Sequence, residues 1–211
     1  LLSKRLDQPV NWMNWGKSGA LSYQWSNGAT SRYSITITGG TPTSGAFKVA
    51  VSVNGAATVY SNNINYNDSA STIQNTLNTL LGAGSVTVSG DLGSTIIIDS
   101  VNAGNYVFSL WSGTNTLNNS AVPVFTQVYR GNAPDTVTFT PSVSEMLNVK
   151  TEDPDVILWQ HLAIGTNDMN GATPLSAVDF GRYLATGKAY LIANGIKIVY
   201  SAPPLIRTTA S

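Results

Sequence analysis

Ser69-Ala70-Ser71-Thr72-Ile73-Gln74-Asn75-Thr76-Leu77-Asn78-Thr79-Leu80-Leu81-Gly82, followed closely by Val86-Thr87-Val88-Ser89-Gly90, is the stretch on which the fold turns. Its first part has helical spacing, with Ile73, Leu77, Leu80 and Leu81 on one face. Ser69 suits the N-cap, because its hydroxyl can accept from the free N–H groups of the first turn, and Gly82 ends the run. The spacing predicts a helix over 70–81. Its second part switches to period two, the signature of a strand.

Strands extend outward on both sides. Tyr33-Ser34-Ile35-Thr36-Ile37-Thr38 alternates apolar and polar and stops at Gly39-Gly40. Phe47, Val49, Val51 and Val53 repeat at period two before Asn54-Gly55, a hairpin signal, and Thr58-Val59-Tyr60 starts the return. Ile96/Ile98 and Tyr106/Phe108/Leu110 read as further strands. One helix on a mostly antiparallel sheet makes this module α+β and the chain mainly β.

The later part also reads as β. Val122/Val124 with Phe125 and Val128, then Val137/Phe139, then Val156-Ile157-Leu158-Trp159 are strand candidates. Thr173-Pro174 starts a short helix expected to end near Gly187. Tyr190/Ile192, Asn194-Gly195 and Ile196/Ile198/Tyr200 read as a hairpin, and Pro203-Pro204 ends its last strand.

Composition narrows the function. The 211 residues carry 11 basic and 11 acidic side chains, one histidine and no cysteine. Charged residues are 10 %, against about 25 % in an ordinary soluble domain. Ser, Thr and Asn number 23, 23 and 20, so hydroxyls and amides are expected to solvate the surface. Hydrophobic residues at 42 % suffice for a core. Zero net charge without a basic run argues against nucleic acid or a membrane surface, and no run reaches the length of a membrane span. The start, Leu1-Leu2-Ser3-Lys4-Arg5, lacks the apolar core of a signal peptide, and without an initiator Met either processing or trimming of this end is expected.

Charge is also uneven. Between Lys48 and Arg130 there is no Lys or Arg, and the acids are Asp68, Asp91 and Asp99. Three parts follow: a Trp-rich arm at 1–32, a β-rich module with one helix at 33–130, and a β-rich segment at 131–211 that can pack with the arm. Trp12, Met13, Trp15, Tyr23 and Trp25 form the candidate interface, since such residues anchor either an arm on its own core or a contact with a neighbouring subunit.

Nothing here assembles into a catalytic or cofactor site. Ile164-Gly165-Thr166-Asn167-Asp168 resembles the Gly-x-Asn-Asp block of the SGNH esterases, in which the Asn helps form an oxyanion hole. The nucleophile block of that family is missing, with Leu92 after Ser89-Gly90-Asp91 where the nucleophile would stand. Its Asp-x-x-His block is missing too, and His161 precedes the motif. A serine without a base is a poor nucleophile, so the chain is read as a non-enzyme. Glu152-Asp153-Pro154-Asp155 lacks calcium-loop spacing, and no metal or cofactor is expected. The run Asn62-Asn63-Ile64-Asn65-Tyr66-Asn67-Asp68 reads as a loop, with contact to glycans as the alternative.

Residues 41–99 carry one broader resemblance: Gly45-Ala46-Phe47, the hairpin at Asn54-Gly55, the helix with Ile73-Gln74, and Val86-Thr87-Val88-Ser89-Gly90. Together they resemble a module of tailed-bacteriophage virion proteins, over roughly 33–130. The resemblance implies a capsid decoration or cement protein, located on the virion and made in the host cytoplasm. Its partners would be the major capsid protein, other virion proteins and copies of itself, as a trimer by analogy. A tail-tube or fibre component, or a glycan-binding surface module, is the alternative role.

Overall fold

The structure is a computed structural model that describes residues 26–136, 156–160, 175–194 and 198–202. In chain order the module comprises β1 (Arg32–Thr38), β2 (Ala46–Phe47), β3 (Val49–Val53), β4 (Val59–Tyr60), β5 (Ile64–Asn65), α1 (Ala70–Leu81), β6 (Val86–Gly90), β7 (Ile96–Ser100), β8 (Tyr106–Leu110) and β9 (Val122–Tyr129). Beyond it lie β10 (Val156–Gln160), α2 (Ala177–Ala193) and β11 (Ile198–Ala202). The fold is α+β and mainly β, with antiparallel sheets and one short helix packed on the module.

A four-stranded sheet in the order β6-β7-β1-β9 and a three-stranded sheet in the order β4-β3-β8 share one core, beside the small β2-β5 pair. Period two places Tyr33 and Ile35 of β1, Ile96 and Ile98 of β7, and Tyr106 and Phe108 of β8 on inner faces. Tyr33 and Phe108 meet edge to face across the core, with ring centroids 5.3 Å apart. Helix α1 contributes Ile73 and Leu77, both fully buried. Ser69 caps it, accepting from Thr72 N–H, and Gly82 ends it with φ +102°. Asn54 and Gly55 both have positive φ and Ala56 N–H reaches Val53 O, the twist that suits a two-residue hairpin turn.

Much of the hydroxyl and amide content turns out to bond backbone inside the module. Ser31, 1 % exposed, donates to Gly104 O at 2.9 Å and accepts from Tyr106 N–H and Gly131 N–H at 3.0 and 3.1 Å. Its own N–H meets the Ser100 hydroxyl at 2.8 Å. Segments far apart in sequence are thus held by one side chain. Gly131 is required beside it, because a Cβ there would collide with the carbonyl oxygen of Gly104. Asn118 accepts from Thr43 and Ser44 N–H, and the Thr116 hydroxyl bonds both Ala46 N–H and Ala46 O. The loop at 114–118 therefore lies along 43–48, where these side chains add to the backbone bonds from Thr116 N–H to Ala46 O and from Asn118 N–H to Ser44 O.

The edge strand β6 is closed in the same way. Asn78 of α1 bonds both Val86 N–H and Val86 O, and Gln74 Oε1 accepts from Val88 N–H at 2.9 Å. Free strand edges invite pairing with other chains, so these amides seal one. That is a physical use for the Ile73-Gln74 and Val86-Thr87-Val88 pairing noted in the sequence.

Two readings need correction. Tyr190 and Ile192 are not in a hairpin: α2 runs from Ala177 through Gly187 to Ala193, and Asn194 caps its C-terminus. Asp179, Tyr183, Gly187 and Leu191 recur every four residues as its buried stripe, a helical period that outweighs the local Asn-Gly signal. Residues 198–202 form β11, which pairs parallel with β10 in register Val156↔Ile198; a parallel pair needs a crossover, and α2 lies between the two in sequence. In β9 the strand is present but Val122, Val124 and Val128 are exposed, while Pro123 is buried and Phe125 packs on the core. Val137/Phe139 lies outside the described residues.

Two outcomes follow. Ser31→Ala strands the Gly131 N–H and leaves the Gly104 carbonyl with the Tyr106 N–H alone, and is expected to lower unfolding free energy by about 2 kcal/mol; urea denaturation measures it. Burial raises the Tyr33 phenol above its ordinary value, against the opposing pull of a backbone hydrogen bond at Phe108 and the charge of Arg130. The unfolded chain loses that proton first, so its stability contribution falls as pH rises past about 10. Urea midpoints followed through that range should decline more steeply in the wild type than in Tyr33→Phe.

Candidate interaction surfaces

The predicted interface residues Trp12, Met13, Trp15, Tyr23 and Trp25 lie outside the described residues, as do His161, Asn167, Asp168 and the acidic run at 152–155. Among the described residues no group of three or more His, Cys, Asp or Glu is placed to hold a metal, and no helix is long and apolar enough to cross a membrane.

The sparse charges of the described segments gather where α2 meets the module. Arg32 forms a bidentate pair with Asp99, at 2.6 and 2.9 Å, and that hydrogen bond holds its guanidinium above the ordinary value. Arg32 lies 5.4 Å from the centre of the Tyr129 ring, and Arg182 of α2 lies 4.6 Å from the same ring. Arg182 in turn pairs with Asp179 at 3.3 Å and donates to Thr30 O at 2.7 Å and Arg130 O at 3.3 Å. Asp179 accepts from Arg130 N–H at 3.0 Å, and Tyr183 donates to Arg130 O. Asp179 also belongs to the N-cap, because Ser176 accepts from its N–H and donates to its carboxylate. The cap and the docking contact are therefore one unit. Arg182 is suited to it because a planar fork can serve two carbonyls while stacking on an aromatic ring.

Two surfaces remain open. On the outer face of β6-β7-β1-β9, Val122 and Val124 stand opposite Thr38 and Thr36, and Thr126 stands opposite Ser34. Arg32–Asp99 supplies an ion pair on this face, which otherwise presents hydroxyls and valines with Ile97 and the Tyr129 ring among them. On the other sheet Tyr60, 47 % exposed, stacks on Trp111 at 4.2 Å, and Lys48 Nζ sits 5.1 Å from the Trp111 ring. Tyr60 is paired with Ala50 across the sheet, and Ala50 is 7 % exposed beneath this shelf. The neighbouring Asn-rich run is a short strand and turn: Ile64 is buried, and Asn65 N–H bonds Asp68 at 2.7 Å.

Sequence reading missed the Arg32–Tyr129–Arg182 stack, because its members are about a hundred and fifty positions apart at the extremes and only Asp179-x-x-Arg182, spaced for one helix face, hinted at it. No protein-family model matches this sequence, and no curated protein is significantly similar to it.

Arg182→Ala should speed amide hydrogen exchange throughout α2 and leave α1 unchanged, and Arg182→Lys should restore little of the protection. Exchange in α2 that matched wild type in the Lys variant would show that charge alone holds the helix.

Proposed function

We propose that this protein is a non-enzymatic structural component of a tailed-bacteriophage virion, a capsid decoration or cement protein that binds the assembled shell as a symmetric oligomer. The observation that carries this reading is how the module uses its polar residues. Ser31, Asn78, Gln74, Thr116 and Asn118 are committed to backbone bonds. What faces outward on the four-stranded sheet is a neutral surface of hydroxyls and valines. Such a surface lets copies crowd without electrostatic repulsion. The flanks hold the Trp-rich arm and most of the charge, so contacts with the major capsid protein belong to them, with Trp12, Met13, Trp15, Tyr23 and Trp25 as the anchors.

The Tyr60–Trp111 shelf favours a second role, recognition of glycans by exposed Tyr60 and half-buried Trp111 beside Asn62 and Asn63. Tyr60→Ala abolishing a glycan-array signal would support it.

Loss of the gene product should leave assembled particles that break at lower temperature or lower osmotic stress, and quantitative mass spectrometry of intact particles should count it in many copies, in proportion to capsid subunits. A handful of copies per particle, or unchanged particle stability, would refute the cement role.

A further inference from the structure

The outer face of the three-stranded sheet carries a group that the hydrophobic core does not use. Tyr60 is exposed and stacks on Trp111, and neither ring belongs to the core. Lys48, two residues before Ala50, stands on the same face with its ammonium 5.1 Å from the centre of the Trp111 ring. Backbone bonds set the group in place. Trp111 N–H donates to Lys48 O at 2.9 Å, while the Thr114 hydroxyl donates to Trp111 O at 2.6 Å and accepts from Lys48 N–H at 3.3 Å. On the other side Ser61 exchanges bonds with Val49, its N–H reaching Val49 O and its hydroxyl taking Val49 N–H. That exchange fixes the neighbouring Tyr60 beside Ala50.

Charge singles out Lys48. It is the sole Lys or Arg between Arg32 and Arg130. The three carboxylates of that span are engaged elsewhere, Asp99 with Arg32, Asp68 with Asn65 and Asp91 with Ser94. Among the described residues no carboxylate pairs with the Lys48 ammonium, which rests on the indole instead.

We propose that this shelf binds an acidic oligosaccharide, with one sugar ring on Tyr60 and the carboxylate of a neighbouring sugar on the Lys48 ammonium. The inference rests on the glycan-binding role given above and adds the charge and the length of the ligand. The apolar C–H side of a pyranose suits an exposed aromatic ring, and an ammonium without a partner suits a carboxylate. Tyr60 and Lys48 both pack on the indole, so its ring holds them apart, and a ligand that uses both spans more than one sugar. One ammonium balances one carboxylate but leaves much of the charge of a phosphate monoester, about −1.5 to −2, uncompensated. A nucleic-acid strand asks for several cations along its backbone, and the described part of this face offers one.

Nuclear magnetic resonance titration of the full chain tests it, with tetrasaccharides of galacturonate, mannuronate and glucuronate, each beside its uncharged methyl ester and its monosaccharide. Expected is at least one acid that binds about three- to fivefold more tightly than its own ester, the worth of a solvent-exposed ion pair, and more tightly than its monosaccharide. Lys48→Met should bring acid and ester to the same affinity, Lys48→Arg should keep the difference, and Tyr60→Ala should weaken both. Urea midpoints matched to wild type establish that the variants are folded. Esters that bind as tightly as their acids, or a Lys48→Met variant that keeps the preference, would overturn the acidic ligand and leave the glycan role standing. Absence of binding by every acid and every ester would remove both.

Discussion

The hydroxyl of Ser31 is the smallest part of this structure and the one the rest depends on. It is buried with one donor and two acceptor bonds satisfied, all to backbone, and it fixes where the start of β1, the turn before β8 and the end of β9 meet. Buried backbone groups must be paired, and at this junction no regular ladder pairs them. A small side chain does so instead, and Gly131, where a Cβ would strike Gly104 O, Ser31 Oγ and Ala29 O, lets the segments come close enough for it to reach. The same solution recurs at Asn118 with Thr43 and Ser44, at Thr116 with Ala46, and at Asn78 and Gln74 along β6. A chain with so few charges and so many hydroxyls and amides is therefore using them as internal fasteners as well as for solvation.

What was legible in the sequence was what depends on near neighbours. Helix α1 with its Ser69 cap, the Asn54-Gly55 turn and the strands β1, β3, β4, β6, β7 and β8 follow from periods and caps that a few residues decide, whereas the short β2–β5 pair, with Ile64–Asn65 inside a run that reads as a loop, does not. The C-terminal part was misread where a local signal competed with distant packing. Asn194-Gly195 looks like a hairpin turn, but Tyr183, Gly187 and Leu191 bury one face of a helix that ends at that Asn. The strand at 198–202 finds a parallel partner some forty residues upstream, a pairing no local pattern encodes. In β9 the strand is legible but its inward face is not: Pro123 and Phe125 turn to the core while the valines at 122, 124 and 128 are exposed, and which face of an edge strand is covered depends on the opposite sheet.

The candidate site shows the same division. Aromatic enrichment marked the N-terminal arm, while the Arg32–Tyr129–Arg182 stack stayed hidden because three elements bring it together. The charge pattern along the chain now has a physical sense. A nearly uncharged stretch forms most of the fastened module, and two ion pairs, Arg32 with Asp99 on the module and Asp179 with Arg182 on the helix of the C-terminal flank, meet at the Tyr129 ring where that helix docks. Structure and sequence together describe a neutral, internally fastened module beside flanks that hold most of the charge, and the proposed shell role rests on that division.

A density map of the assembled particle tests that division most directly. The account predicts the protein on the capsid exterior, its flanks against the shell and the α1-bearing module pointing outward. A map that seats the β6-β7-β1-β9 face on the shell, or that finds the protein in the tail tube, would contradict it.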